Sequence, residues 1–511
     1  MSHKREKIQA RRGGRWTLFL GLAFFAALLT GCDEILDVEL PGQITSEETF
    51  NPEQADVLVF SAIADIECAM SDFIAMNGAG NADAFHRTIG WLNGSMEYEP
   101  TPDTGSCANS ENDYGWFTGM HEGRWLAEQT YQRLDEEWTV DQVPNRDDLM
   151  ALAAIYIGHT MGMFGEYLCE AAVNAGPLLS WEEALEGNPA KGTIGAEGWY
   201  TAALGHIADA GGDFEIPNGI TTSAEQLAYL LRARSKLARG DYAGAAADAQ
   251  QVTQGFIAYI TRESGSDQRR NNRVYTNHNQ TGYSTLVGVI THEFWQADDV
   301  TNPVTQQPWP DPIPYTGYWN LAILPDGRAV SDAGYPITTD EPGAEADSRV
   351  PAMDTGNTED VRGYPIWRQM KYTSPADDYP LAKWEEAWLI RAEVAARGAT
   401  AEDPVDLVND IRAAHDLPEI DGVSYNPTTE DELLNMIVEE NRRTHFLEGR
   451  FWSTKLRHDL WFPRGQGRAV QHNYQGGVRM VLPGGEYEIN ENFDQSDQGT
   501  YCPPNQTPVG I

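Results

Sequence analysis

The stretch SAEQLAYLLRARSKLARGDYAGAAADAQQV, residues 223–252, decides the fold because its local signals all agree. Ser223 and Gln226 stand three residues apart, the spacing of a helix N-cap and its capping-box partner. Leu227, Leu230, Leu231, Leu237 and Ala238 then recur at helical spacing, which leaves Arg232, Arg234, Lys236 and Arg239 to face water. Gly240 suits the left-handed residue that closes a helix, and Asp241 can cap a second one. In that second helix Ala243, Ala246, Ala247 and Ala249 make a slim apolar side. The result is a tight helical hairpin, which cannot bury its apolar face alone and needs stacked neighbours.

Such a hairpin is similar to a tetratricopeptide unit, and the rest of the chain supplies companions for it. Leu381–Arg397 places Trp384, Trp388, Leu389 and Ala392 on one side, ends at Gly398, and is followed by a partner helix over Pro404–Ala414. Thr428 or Thr429 can cap ELLNMIVEENRRTHFLEG, residues 432–449. There Leu433, Ile437 and Phe446 face inward, and Glu439 and Glu440 can each pair with Arg443. Upstream, Glu53–Phe73 offers Val57, Leu58, Phe60, Ala64 and Met70 as a buried face, and further helices are expected over Tyr114–Trp138, Arg146–Val173 and Ala196–Ala210. The second of these carries a stripe of Leu149, Leu152, Ile155, Tyr156, His159, Met163 and Tyr167. His159 on that stripe has no acidic or thiol partner four residues away, so it reads as a hydrogen-bonded core histidine. The expected fold class is all-α: helical hairpins that carry long irregular excursions.

With 511 residues, 41% of them hydrophobic, the chain can bury a large core. A formal net charge of -41 argues against a nucleic-acid partner and fits solubility in a salty or exterior setting. The amino terminus is the exception. Lys4, Arg5, Lys7, Arg11, Arg12 and Arg15 precede an apolar run from Trp16 to Leu29, which is shorter than the ~20 residues of a spanning helix. Residues 1–31 therefore read as a signal peptide. Its end, Leu29-Thr30-Gly31-Cys32, resembles the bacterial lipobox, in which the cysteine is acylated and becomes the first mature residue. Two or three acyl chains at ~0.8 kcal/mol per methylene hold a protein firmly on a membrane. Residues 32–50 form a polar lead segment, and 51–511 read as one domain. Of the other cysteines, Cys68, Cys107, Cys169 and Cys502 allow two disulfides in three connectivities, and no CxxC spacing suggests zinc.

Two irregular regions, near 78–110 and 254–380, break the helical pattern and are rich in aromatic residues. Loops this long are functional or disordered, and disordered chains seldom use so many tryptophans. Indole and phenol rings stack on the apolar faces of sugars and offer one polar tip to a hydroxyl. Trp91, Tyr98, Trp295, Trp309, Tyr318 and Trp319 are therefore the candidate ligand-binding residues, set against the plainer possibility that each ring merely packs its own loop. No HExxH, GxSxG, P-loop or EF-hand pattern occurs, so no catalytic residue, metal or cofactor is expected. Asp298-Asp299 or Asp377-Asp378 could help bind calcium, but acidic dipeptides in loops are usually just solvated.

Several segments together resemble the SusD/RagB family of bacterial nutrient-binding lipoproteins. The resemblance rests on the acylated-cysteine start with Leu36-Asp37-Val38-Glu39-Leu40-Pro41, the helix Trp384–Arg397 followed by Val408-Asn409-Asp410-Ile411-Arg412, and Glu440-Asn441-Arg442-Arg443 through Phe446-Leu447-Glu448-Gly449. It also takes in Leu482-Pro483-Gly484-Gly485-Glu486 with Asn490-Glu491-Asn492. Thr444 and Ser453 depart from it, each standing where the family usually has an acid. The resemblance implies a tetratricopeptide-like fold and an outer-membrane, surface-exposed lipoprotein. It also implies a partner, a TonB-dependent transporter, to which the protein hands an oligosaccharide or peptide without acting on it. Two alternatives stand beside this reading: a secreted α-helical glycoside hydrolase, with two carboxyls facing across the aromatic region, and a tetratricopeptide adaptor that grips only protein.

Overall fold

A computed structural model describes residues 50–82, 84–87, 101–102, 115–265, 268–280, 284–292, 301–302, 304–331, 342–358, 365–462, 465–466, 473–474 and 478–508. Residues 52–511 form one compact unit. The leader, Cys32, the lead segment, Cys107 and Asp298-Asp299 lie outside the described residues.

The scaffold opens with α1 (Ala55–Phe73), which runs on through a π turn, Ile74–Gly78. Its buried side is Leu58, Val59, Ala62, Ile63 and Ile66, whereas Val57, expected inside, is 58% exposed. A short strand β1 (Phe85–Arg87) comes next, then α2 (Phe117–Glu136), α3 (Arg146–Tyr167), α4 (Trp181–Glu186) and α5 (Ala196–Asp209). The hairpin of 223–252 is α6 (Ala224–Arg239) and α7 (Tyr242–Ala249). Ser223 Oγ accepts from the Gln226 amide at 3.1 Å, Gly240 has φ of 83°, and Asp241 caps Gly244 at 3.0 Å. Gln226 does not close the capping box, because its side-chain oxygen accepts from Thr253 at 2.8 Å.

Each helix packs mainly on the next: α1 on α2, α2 on α3, α3 on α5, α5 on α6, α6 on α7. That nearest-neighbour pattern is the architecture of a helical solenoid. A helix inside such a stack has neighbours on both sides, and α3 shows the effect. Every residue from Leu149 to Tyr167 is buried, so the expected stripe is in fact the whole circumference. Glycines let the neighbours in: a Cβ on Gly158 would stand 2.8 Å from the Tyr200 ring, and one on Gly165 would stand 2.4 Å from Leu185.

Of the basic residues of α6, Arg234 is withdrawn from water and the other three are half-buried in ion pairs. Arg234 is buried and bonds Glu386 through two nitrogens at 2.8 and 2.6 Å, while Arg232 and Lys236 share Asp248 and Arg239 holds Glu197. On α7 the buried alanines are Ala245, Ala246 and Ala249, and Ala243 and Ala247 are exposed.

After α7 the chain forms β2 (Ile257–Ile260), leaves the scaffold, and passes through β3 (Ser284–Leu286), β4 (Leu321–Ile323), β5 (Ala329–Ser331), β6 (Glu345–Ala346), β7 (Ala352–Thr358) and β8 (Pro365–Gln369). It returns at β9 (Tyr379–Lys383), which pairs antiparallel with β2. The excursion therefore leaves and rejoins the helices at one two-stranded sheet. Within it β4 is flanked by β6 and β5, and β7 pairs with β8. The two irregular regions also meet, because β3 pairs with β1.

The helical frame resumes with α8 (Trp384–Ala396), which packs on α7, then α9 (Pro404–Ala414) and α10 (Glu430–Thr444), both against α8. Thr429 caps α10 in a full capping box with Glu432. Leu433 is half-buried, while Ile437 and Phe446 are inside. Glu439 takes both Arg442 and Arg443, at 2.6 and 2.7 Å. Glu440 does not pair with Arg443 as the helical spacing suggests. It reaches across to Arg349 at 2.6 Å and Arg412 at 2.5 Å, and Thr444 accepts from Arg349 at 3.1 Å. α11 (Phe451–Arg457) and α12 (Gly484–Ile489) complete the described helices. A disulfide, Cys169–Cys502, ties the end of α3 to the C-terminal segment, and Cys68 is also disulfide-bonded. Among the described residues no helix is long and apolar enough to cross a membrane.

Candidate functional site

The meeting place of the two irregular regions is built on the backbone of residues 284–290. Val287 donates to Ala84 O at 3.0 Å and accepts from the Tyr318 amide at 2.7 Å, while Ile290 accepts from the Ile313 amide at 2.8 Å. Gly317, with φ of 80°, lies against this strand so closely that a Cβ would meet Val289 N at 2.3 Å. Only glycine fits both conditions. The loop 313–319 is thereby fixed to 284–290, and its aromatic side chains have set directions.

Tyr318 and Trp319 point opposite ways. The Tyr318 ring is 1% exposed: its hydroxyl donates to Ala82 O at 3.2 Å, the Phe446 ring stands 5.1 Å away, and the Arg442 guanidinium covers it at 5.1 Å. Tyr318 therefore serves the core and presents no face to a ligand, which corrects its assignment as a binding residue. Trp319 is half-buried. Its indole nitrogen donates to Leu286 O at 2.7 Å, and a Cβ on Gly288 would press into its ring at 2.6 Å.

Trp319 stacks on Trp367 of β8, with centroids 5.7 Å apart and planes at 19°. Trp367 is held through its backbone, because its amide donates to Thr285 Oγ1 at 2.7 Å. Its cross-strand partner on β7 is Asp354, so an exposed carboxylate lies on the same face of the ribbon as the indole. Two stacked indoles, half-buried and anchored to strands, with a carboxylate on the same ribbon face as Trp367, offer the ring surface left outside the stack and an acceptor for hydroxyls.

Of the other candidates, Trp309 is half-buried and makes no ring contact with these indoles among the described residues. Trp91, Tyr98 and Trp295 lie outside the described residues. Trp367, which is not among the six candidate ring residues, is the residue that the structure adds. Its signal was weak: Pro365-Ile366-Trp367-Arg368-Gln369 is a strand too short for alternation to reveal its outward face.

The buried acids of the unit are engaged in the frame. Glu448 accepts from Lys371 at 2.6 Å and Lys383 at 2.7 Å and pairs with His445 at 2.9 Å. Burial would raise its carboxyl, but the two lysines outweigh that and hold it well below the usual range. For Glu386 burial also acts upward, and Arg234 and Arg450 bring it down to about 2. Asp377 and Asp378, considered for calcium, staple the loop instead: they accept from the Ser374 and Arg262 amides at 2.9 and 2.5 Å. Among the described residues no group of three or more His, Cys, Asp or Glu side chains is placed to hold a metal ion.

Neither protein-family models nor curated protein sequences match the chain. Solved structures do match. A SusD superfamily protein from Bacteroides thetaiotaomicron is 14% identical with a TM-score of 0.52, over 88% of this chain and 100% of its own. A Bacteroidetes AC2a SusD-like protein is 13% identical with a TM-score of 0.51, over 87% of this chain and 96% of its own. A protein described as chitin-binding is 12% identical with a TM-score of 0.55, over 90% and 99%. The fold is thus that of the SusD-like proteins, a tetratricopeptide-like helical frame with loop excursions.

Proposed function

We propose that this chain, with its SusD-like fold, belongs among the SusD-like nutrient-binding lipoproteins and captures an oligosaccharide without chemically changing it. The observation that carries this reading is the Trp319–Trp367 stack, a ring platform fixed to strands where the two loop regions join. One solved structure of the same fold is described as chitin-binding, which supports a glycan as the captured class. The engagement of Glu386, Glu440 and Glu448 with arginines and lysines supports a frame role for the buried acids and a non-enzymatic protein. In this reading Cys32 is acylated and holds the protein at the outer surface of a bacterial outer membrane, with a TonB-dependent transporter as partner. Trp91, Tyr98, Trp295 and Trp309 remain proposed companions of the indole pair.

A glycan and peptide array on the soluble chain from Asp33 onward tests the proposal. Retention of a group of related oligosaccharides, lost in Trp367→Ala, is the expected result. Binding of peptides alone, no binding at all, or release of shortened products from the bound glycan would overturn it. Absence of a barrel transporter from material purified out of membranes would sink the partner assignment.

A further inference from the structure

Four residues before Trp319 the same loop lines a second hollow. Tyr315 forms one wall of a cleft of about 300 Å3, with Tyr425 and Arg328 around it and Asn435 and Glu439 of α10 beneath, and neither indole of the stack reaches it. The volume lies at the lower end of ligand pockets, which run from roughly 300 to 1,000 Å3.

Its chemistry selects an uncharged, hydroxyl-rich ligand. The two lining carboxylates are each met by a pair of arginines: Glu439 by Arg442 and Arg443, Glu440 by Arg349 and Arg412. Burial would raise the Glu439 carboxyl, but its two arginines bring it down to about 2. Arg328 is turned toward Asp326, with Nε donating at 2.8 Å. The walls keep an excess of positive charge, but its donors are spent on the protein itself: beyond their carboxylates, Arg412 donates to Gly327 O and Pro418 O and Arg442 to Gly317 O, so no free guanidinium fork is left to clamp an anion. Tyr315 packs against the buried Ala82, Val438 and Phe451 and still lines the cleft, so a ligand meets the Tyr425 ring, part of the Tyr315 side chain and a few neutral polar atoms. Tyr315 donates its hydroxyl to Asn435 Oδ1 at 2.6 Å, which leaves the Asn435 amide nitrogen as a donor with no bond among the described residues. The Tyr425 hydroxyl likewise has none, and its ring is set by a turn in which Asp421 accepts from the Val423, Ser424 and Tyr425 amides.

We propose that this cleft is a second saccharide subsite, sized for a neutral mono- or disaccharide, with Tyr315 and Tyr425 as ring faces and Asn435 as hydroxyl donor. The inference deepens the glycan-capture reading and rests on it. Gly317 seats the loop that carries both Tyr315 and Trp319 against Gly288 and Val289, so the two subsites share one loop.

Isothermal titration with maltose, cellobiose and N,N′-diacetylchitobiose, on the soluble chain from Asp33 onward, tests it. Asn435 is exposed on α10, so Asn435→Arg plugs the cleft with little threat to folding, and circular dichroism checks that it folds. At least one disaccharide is expected to bind Asn435→Arg roughly tenfold more weakly than wild type, with Tyr425→Ala weaker by roughly three- to tenfold, the loss of one ring contact. Equal affinity of Asn435→Arg and wild type for every disaccharide that binds would overturn the second subsite. So would failure of all three disaccharides. In both cases oligosaccharide binding that still depends on Trp367 leaves the capture reading standing, and its absence removes both.

Discussion

Arg234 of α6 and Glu386 of α8 meet in a buried two-point ion pair, at 2.8 and 2.6 Å, that locks the 223–252 hairpin to the helix returning from the excursion. Arg234 also donates to Leu381 O at 3.0 Å, in the middle of β9. Removing one partner leaves a charge in the interior, so Arg234→Met should cost roughly 3 kcal/mol in chemical denaturation. The double change Arg234→Met with Glu386→Leu should recover much of that loss, because no orphan charge remains. A single variant as stable as wild type would show that Arg450, 3.3 Å from Glu386, suffices alone.

His159 sets a second expectation. The ring is buried in α3, as a core histidine, and its Nε2 has no hydrogen-bond partner among the described residues. Burial, then Arg234 and Arg450, depress its pKa to about 3. The unfolded chain takes up this proton near pH 6.5 and the folded chain does not, so stability falls as pH drops from 6.5 toward 3. The slope is at most about 1.4 kcal/mol per pH unit. His159→Met should flatten the wild-type decline between pH 6.5 and 4.5, measured by urea unfolding at each pH. Parallel curves for the two proteins would contradict the assignment.

The Cys169–Cys502 disulfide bridges positions 333 residues apart and lies beside the Leu168–Met480 bridge that attaches the C-terminal segment to α3. Cys502→Ser should lower stability by roughly 2–5 kcal/mol. Hydrogen exchange should quicken first at the amides of Cys169 and Met480, which donate to Met480 O at 2.7 Å and to Tyr167 O at 2.9 Å. Unchanged protection there would mean that packing alone holds the segment.

How much of this could be read from the chain depends on the range of each signal. Caps and glycine stops are local, and Ser223, Gly240, Thr429 and Pro404 mark their helices to within a residue or two. Periodicity tells which side of a helix is apolar but not whether the other side also meets a neighbour. Hence periodicity puts Arg234 in water though it is buried, and gives α3 a stripe though Leu149–Tyr167 is enclosed all round. The excursion was legible as a change of composition. Its closing sheet was not, since Ile257–Ile260 and Tyr379–Lys383 are short and 122 residues separate their starts in sequence. Tyr318 and Trp319 show the limit most plainly, because adjacent loop aromatics carry no period that says which one turns inward.

Gly288 offers the most specific remaining test, because it touches the platform only through Trp319. A Cβ there would stand 2.6 and 2.7 Å from Cε3 and Cζ3 of the indole, a contact that forces the ring to shift. Trp319 cannot shift alone, since its nitrogen is tied to Leu286 O and its face to Trp367. Gly288→Ala should therefore disturb the stack and weaken binding of the array-identified oligosaccharide by roughly three- to tenfold, the scale of one aromatic contact. Trp367→Ala should weaken binding at least as much while costing less stability, because Trp367 is held through its backbone. Full affinity in Gly288→Ala, with tryptophan fluorescence unchanged, would mean that the indole pair packs the loop and does not hold the glycan.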